Sequence, residues 1–204
     1  MIATVKSAAC IGIHAYPVEI EVDVATGLPQ FIVVGLPDVS VKESRERVRS
    51  AIKNSGYPFP VDKITLNLAP ADIKKEGAAF DLPMALGILA AQGVLATDKL
   101  QEYIFLGELA LDGSLRPFKG AIVTASSLKT APKSLVLPVE NANEASLAKN
   151  VSVYPAQSLK EVVEFVTGEK TIQPVPHEEA FPLKQFHENS VDFAEVKGQP
   201  FAKR

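Results

Sequence analysis

The sequence predicts an α+β architecture, a mixed sheet packed with helices and followed by a linker, on three observations. Residues 18–24 read Val-Glu-Ile-Glu-Val-Asp-Val, an unbroken alternation that puts branched apolar side chains on one face of a strand and carboxylates on the other. Ser40 and Glu43 stand three residues apart at the head of a segment whose apolar residues recur at helical spacing. Strand-like and helix-like stretches then follow one another without the regular alternation of a wholly parallel sheet.

In chain order, Ile2 to Ala8 supplies a strand, and residues 18–24 the next. After the turn Gly27-Leu28-Pro29, Phe31 to Val34 is a β-branched run expected to pair back antiparallel, and Gly35-Leu36-Pro37-Asp38 breaks the sheet. A helix capped by Ser40 runs to about Ser55, with Val41, Val48, Ala51 and Ile52 on its buried side and Gly56 ending it. Lys63 to Leu68 is a strand, residues 69–77 a loop, and about Phe80 to Gln92 an apolar helix buried on most sides. Tyr103 to Leu111 reads as one strand, turned by Asp112-Gly113 into residues 114–117, with a helix from about Lys119 to Thr130. Ser134 to Val139 and Val151 to Tyr154 are short strands around a helix opened by Asn141, and Ser158 with Glu161 opens a last helix that Gly168 closes. A folded domain is therefore expected over 1–168. Residues 169–190, with Pro174, Pro176 and Pro182 among charged side chains, read as a linker.

Lys+Arg number 21 against 24 Asp+Glu, a net charge of −3, so attraction to nucleic acid requires a local basic patch. The lone Cys10 excludes an intrachain disulfide and a cysteine zinc site, fits a cytoplasmic protein, and reads as a small buried hydrophobe. The start of the chain lacks a leader pattern, and the longest apolar stretch, Leu82 to Leu95, is interrupted by Pro83, Gly87, Gln92 and Gly93, so no membrane span is expected. His14, His177 and His187 have no metal-ligand spacing, and Ser126 with Lys129 lacks the other elements of a serine–lysine hydrolase. No phosphate-binding loop occurs, so no nucleotide cofactor is expected in these residues.

Two basic groups stand out. Lys42, Arg45, Arg49 and Lys53 fall at offsets of three, seven and eleven, one stripe beside the apolar face of the first helix. Lys74, Lys75, Arg116 and Lys119 form a second cluster if their loops converge. Both can track phosphates without sequence preference; equally, the stripe can be a solvated face partly neutralised by Glu43 and Glu46. Aromatic residues, at 7%, look too sparse for a base-stacking platform.

Residues 75–85, Lys-Glu-Gly-Ala-Ala-Phe-Asp-Leu-Pro-Met-Ala, are followed by Gly107-Glu108-Leu109-Ala110-Leu111-Asp112-Gly113 and by Leu135-Val136-Leu137-Pro138-Val139-Glu140-Asn141. This order resembles the proteolytic domain of the Lon proteases, which implies a Lon-protease-like domain (ribosomal protein S5 domain 2-like). The family's serine falls on Ala79 and its lysine on about Ile122, so the resemblance implies a domain without the catalytic dyad. Ala3-Thr4-Val5, Gly35-Leu36-Pro37-Asp38, residues 41–48 and Asn67-Leu68-Ala69-Pro70-Ala71-Asp72 more closely resemble the ComM competence family of magnesium-chelatase-like AAA+ ATPases. That resemblance implies a hexameric helicase acting in branch migration during natural transformation, with ATP and Mg in the complete protein. Residues 191–204 resemble the opening of the ATPase module, with Val196, Gly198 and Gln199 near the nucleotide. A protein-interaction domain without DNA contact, and a peptidase whose nucleophile has moved to Ser114 or Ser126, are the alternatives.

Overall fold

A computed structural model describes residues 2–128, 132–149 and 151–176. β1 (Ile2–Ile11) and β2 (His14–Ala25) form a long antiparallel hairpin, with Val5 opposite Ile20 and Ala3 opposite Val22. The alternation that predicted β2 is realised: Val18, Ile20 and Val22 are buried while Glu19 and Glu21 face water. β4 (Lys63–Ala69) continues the sheet antiparallel to β2, and β3 (Gln30–Val34) lies outside β4 and parallel to it, giving the order β1-β2-β4-β3.

The antiparallel return of residues 31–34 is thus corrected. β4 occupies the edge of β2, and β3 reaches β4 through a helical crossover, the connection that parallel neighbours require. That crossover is α1 (Val39–Asn54), which buries Val41, Ser44, Val48, Ala51 and Ile52. Its cap is Asp38 rather than Ser40: the Asp38 carboxylate accepts the Val41 N–H at 2.8 Å, and the Ser40 hydroxyl donates to the same carboxylate. Asx and Ser compete for the same orphan amides, and here the earlier residue wins.

α2 (Asp81–Ala91) is buried along its whole length against the β1–β2 hairpin. Gly87 allows that approach, since a Cβ there would meet Val22 Cγ2 at 2.5 Å. A short helix α3 (Thr97–Leu100) leads to a second, parallel sheet of β5 (Ile104–Phe105), β8 (Ser134–Pro138) and β9 (Ser152–Ala156). The single strand expected over 103–111 is divided. Gly107 turns its backbone toward the head of α2, donating to Ala79 O and accepting from the Leu82 N–H, so only β6 (Glu108–Leu109) resumes, paired with β7 (Leu115–Arg116).

α4 is shorter than expected, Ala121–Ser127, and follows Gly120 at φ +92°. α5 (Val139–Ser146) starts two residues before Asn141, whose side chain instead clamps Phe118 by accepting from its N–H and donating to its carbonyl. α6 (Leu159–Thr167) is capped by Ser158 and ended by Gly168, as read from the sequence. The main core lies between the four-stranded sheet, α1, α2 and α6, and a second core gathers Leu106, Ala121, Ala125, Leu135, Leu137 and Val153.

The packed body continues past Gly168. Ile172 is 8% exposed in the main core, and the Val175 N–H donates to Val153 O at 2.8 Å. Ile172 and Val175 stand alone among prolines and polar residues and give no periodic signal, so the sequence from 169 onward reads as a linker. Residues 177–204, with Val196, Gly198 and Gln199, lie outside the described residues. Among the described residues no helix is long and apolar enough to cross a membrane.

Candidate functional site

A cleft of about 640 Å³ opens between the end of β1, the head of α1, residues 76–80 and residues 117–124. Its floor is a loop held by main-chain bonds: the Lys75 N–H donates to Leu36 O and the Asp38 N–H to Lys75 O, joining the loop to the turn before α1. The Lys75 side chain is fully buried beneath it and its Nζ donates to Pro70 O; burial holds its pKa below the usual lysine range. Gly77, at φ +85°, then donates its N–H to the Ser40 hydroxyl at 3.0 Å, and one 3-10 turn over Ala78–Phe80 delivers the chain to α2. Burial opposes the charge on Asp38, but hydrogen bonds from Val41, Ser40 and Gly77 outweigh it and keep this carboxyl below its ordinary range.

Behind this floor lies an ion pair. Arg47 Nε donates to Asp81 Oδ2 at 2.6 Å and Nη2 to Oδ1 at 3.2 Å; Nη2 also reaches Ser40 O and the Ser44 hydroxyl. Asp81 is fully buried and also accepts the Leu109 N–H, so one carboxylate joins α1, α2 and β6. Burial drives the Asp81 pKa up, with Arg47 opposing that, while the Arg47 guanidinium is held protonated chiefly by its bond to Asp81. Sequence reading missed this pair. Its signal was an aspartate opening an otherwise apolar helix, since a buried charge demands a partner.

Ala79 lines the cleft, but Ile122 does not: it packs against the second core, its N–H donating to Glu144 Oε1. Lys119 does line it. Two hydroxyls are present, each engaged: Ser40 donates to Asp38, and Thr124 donates to Gly120 O at 3.1 Å. Cys10 is exposed, correcting the buried reading; it is still paired with Ala15 of β2 but lies in the last two residues of β1, where the strand's burial ends, its Sγ 3.1 Å from Thr124 Oγ1. The relocated nucleophile proposed at Ser114 donates to Asp112 Oδ1 within a tight turn, and Ser126 stands outside the cleft lining. Among the described residues, no three His, Cys, Asp or Glu side chains gather where they could hold a metal.

The second basic cluster does not assemble as one patch. Lys75 is buried, Lys74 pairs with Glu76 at 2.6 Å, and Arg116 lies 3.9 Å from Glu108, leaving Lys119 in the cleft. The first stripe fares differently. Arg45, Arg49 and Lys53 line a groove of about 180 Å³ between α1, β3 and the loop before β4, while Lys42 stands outside that lining. Arg45 lies 3.3 Å from Glu46 with both side chains in solvent, a pair of little energetic weight. Phe31 and Phe59 form the groove's apolar side, and Arg49 Cζ sits 5.8 Å from the Phe59 ring centre. These aromatics are far apart in sequence, so no linear pattern could have placed them beside the stripe.

A family model described as subunit ChlI of Mg-chelatase matches residues 20–141. Over its whole length the chain is 42% identical to protein YifB of Salmonella typhimurium and to competence protein ComM of Haemophilus influenzae, covering 39% and 40% of them. A Mycobacterium bovis protein is 34% identical over 97% of the chain, again covering 39% of that relative. The chain thus spans about two fifths of the length of the curated relatives it matches.

Proposed function

The chain belongs to the Mg-chelatase ChlI-subunit family, in the company of ComM and YifB, and on that premise we propose that it is a non-catalytic domain of a ComM-type AAA+ protein. In this reading the domain is Lon-protease-like. It supports assembly of a homo-oligomeric ring, a hexamer in the complete protein, and contacts DNA through the Arg45–Arg49–Lys53 face. ATP and Mg serve the complete protein, whose cytoplasmic work is branch migration of DNA taken up during natural transformation. The observation that carries the proposal is Ala79. It occupies the cleft position that the Lon resemblance assigns to a nucleophile, while the partner position, Ile122, is turned into an apolar core. What supports the reading is a cleft whose floor is bonded in place and whose two lining hydroxyls, Ser40 and Thr124, are each engaged with a neighbour other than an amine.

The test has two arms. Incubation with unfolded casein and a fluorophosphonate probe is expected to give neither cleavage nor labelling, and labelling at Ser114 or Ser126 would restore the peptidase reading. Retention of DNA at low salt is expected to fall on Arg45→Glu/Arg49→Glu. If wild-type protein retains no DNA at all, the domain is a protein-interaction module and the DNA contact is abandoned.

A further inference from the structure

We infer that the groove between α1 and β3 is a single-strand-selective nucleic-acid site in which the Arg49 guanidinium, backed by Phe59, is the surface on which a base stacks. The inference rests on the DNA contact proposed above and specifies its ligand. Three features of the groove carry it.

The first is charge. Arg45, Arg49 and Lys53 face one carboxylate, Asp62, in the groove lining, a positive concavity on a chain whose net charge is −3. The second is spacing. The three cations recur every four residues, so successive charges rise by about 6 Å along the helix. This step suits consecutive phosphates of a nucleic-acid strand, single or paired, so the preference for one form rests on the stacking surface. The third is the arginine–aromatic pair. A guanidinium held over a ring loses much of its freedom, and a planar cation fixed at the rim of an apolar pocket is a recognised stacking partner for unstacked bases. Phe31, Pro29 and Pro60 complete an apolar wall beside it. Bases in a duplex are stacked on each other and cannot use such a surface, whereas phosphates of either form can use the cations.

The experiment measures binding of the full 204-residue chain to fluorescein-labelled oligothymidylate and to a duplex of equal phosphate number, by anisotropy across a salt series. Wild type is expected to prefer the single strand. Arg49→Lys keeps the charge and removes the planar surface, so it should weaken single-strand binding about tenfold, leave duplex binding unchanged and preserve the salt dependence. Arg49→Glu should weaken both ligands and reduce the salt slope. Phe59→Leu, which retains apolar volume, should reproduce Arg49→Lys; its thermal melt checks folding, and the exposed Arg49→Lys stands independently if it fails. Equal binding of Arg49→Lys and wild type to the single strand would overturn the stacking role. Equal wild-type affinity for the two forms, or equal retention of polyglutamate, would overturn the ligand class. DNA binding that survives Arg45→Glu/Arg49→Glu would remove the groove while leaving DNA contact elsewhere on the domain standing, and absence of any DNA binding would instead sink the underlying functional reading.

Discussion

The cleft around Ala79 and the groove beneath Arg49 are both lined by polar side chains, but they dispose of them in opposite ways. In the cleft region the strong groups are turned inward or toward one another: Asp81 to Arg47, Lys75 to Pro70, Ser40 to Asp38 and Gly77. In the groove the cations point outward, and Arg49 rests on a ring instead of a carboxylate. A polar site can thus be maintained for shape alone. Groups satisfied internally fix a backbone, and groups left facing water keep their capacity for a partner.

Substitutions on either side of this contrast should differ in what they cost. The largest effect is expected for Asp81→Ala, which strands a mostly buried guanidinium and leaves the Leu109 N–H without its acceptor; a loss of about 3 kcal/mol or more should appear in urea unfolding. The double variant Arg47→Met/Asp81→Leu should regain the part due to the stranded charge, because both charges then leave together, while the Leu109 N–H still lacks its acceptor. Gly87→Ala pushes a methyl into Val22 and should cost about 1–3 kcal/mol, measured the same way.

Asp38→Ala removes the α1 cap and should cost about 1 kcal/mol at neutral pH. Because the Asp38 carboxyl is lower in the folded chain than its ordinary value of 3.8, its stabilisation is complete above that value and is lost as pH falls through the lower folded pKa. The gap between wild type and Asp38→Ala should therefore close below about pH 4, and a gap that persists there would assign the effect to packing. The smallest stability effect is expected at Arg49→Lys, within about 0.5 kcal/mol, even though this exposed side chain is the one on which single-strand affinity turns. If Arg49→Lys destabilised the fold as much as Gly87→Ala does, the groove would belong with the cleft as a structural region.

The elements with strong local patterns were legible in the sequence. β2 announced itself by alternation, α2 by its apolar run, and α6 by Ser158 and Gly168. What failed was whatever depended on a distant neighbour. The direction of β3 was decided by β4, some thirty residues on, and the continuity of residues 103–111 was broken by Gly107 bonding to Ala79 and Leu82. The basic residues divide in the same manner: helix periodicity located Arg45, Arg49 and Lys53, but nothing local distinguishes the buried Lys75 from the exposed Lys74 beside it. Ala79, singled out by the resemblance, is among the residues lining the cleft, while Cys10 and Thr124, brought together from strand and helix, carried no shared signal.

The short stretch from Glu169 to Pro176 has a mechanical corollary. Ile172 is pegged into the main core and Val175 is hydrogen-bonded to β9, so the chain does not swivel freely at the end of α6. A pull transmitted along the polypeptide from residue 177 onward would first load the β9 margin and the Ile172 peg. Whatever is joined there is coupled to the body through that peg and that main-chain bond together.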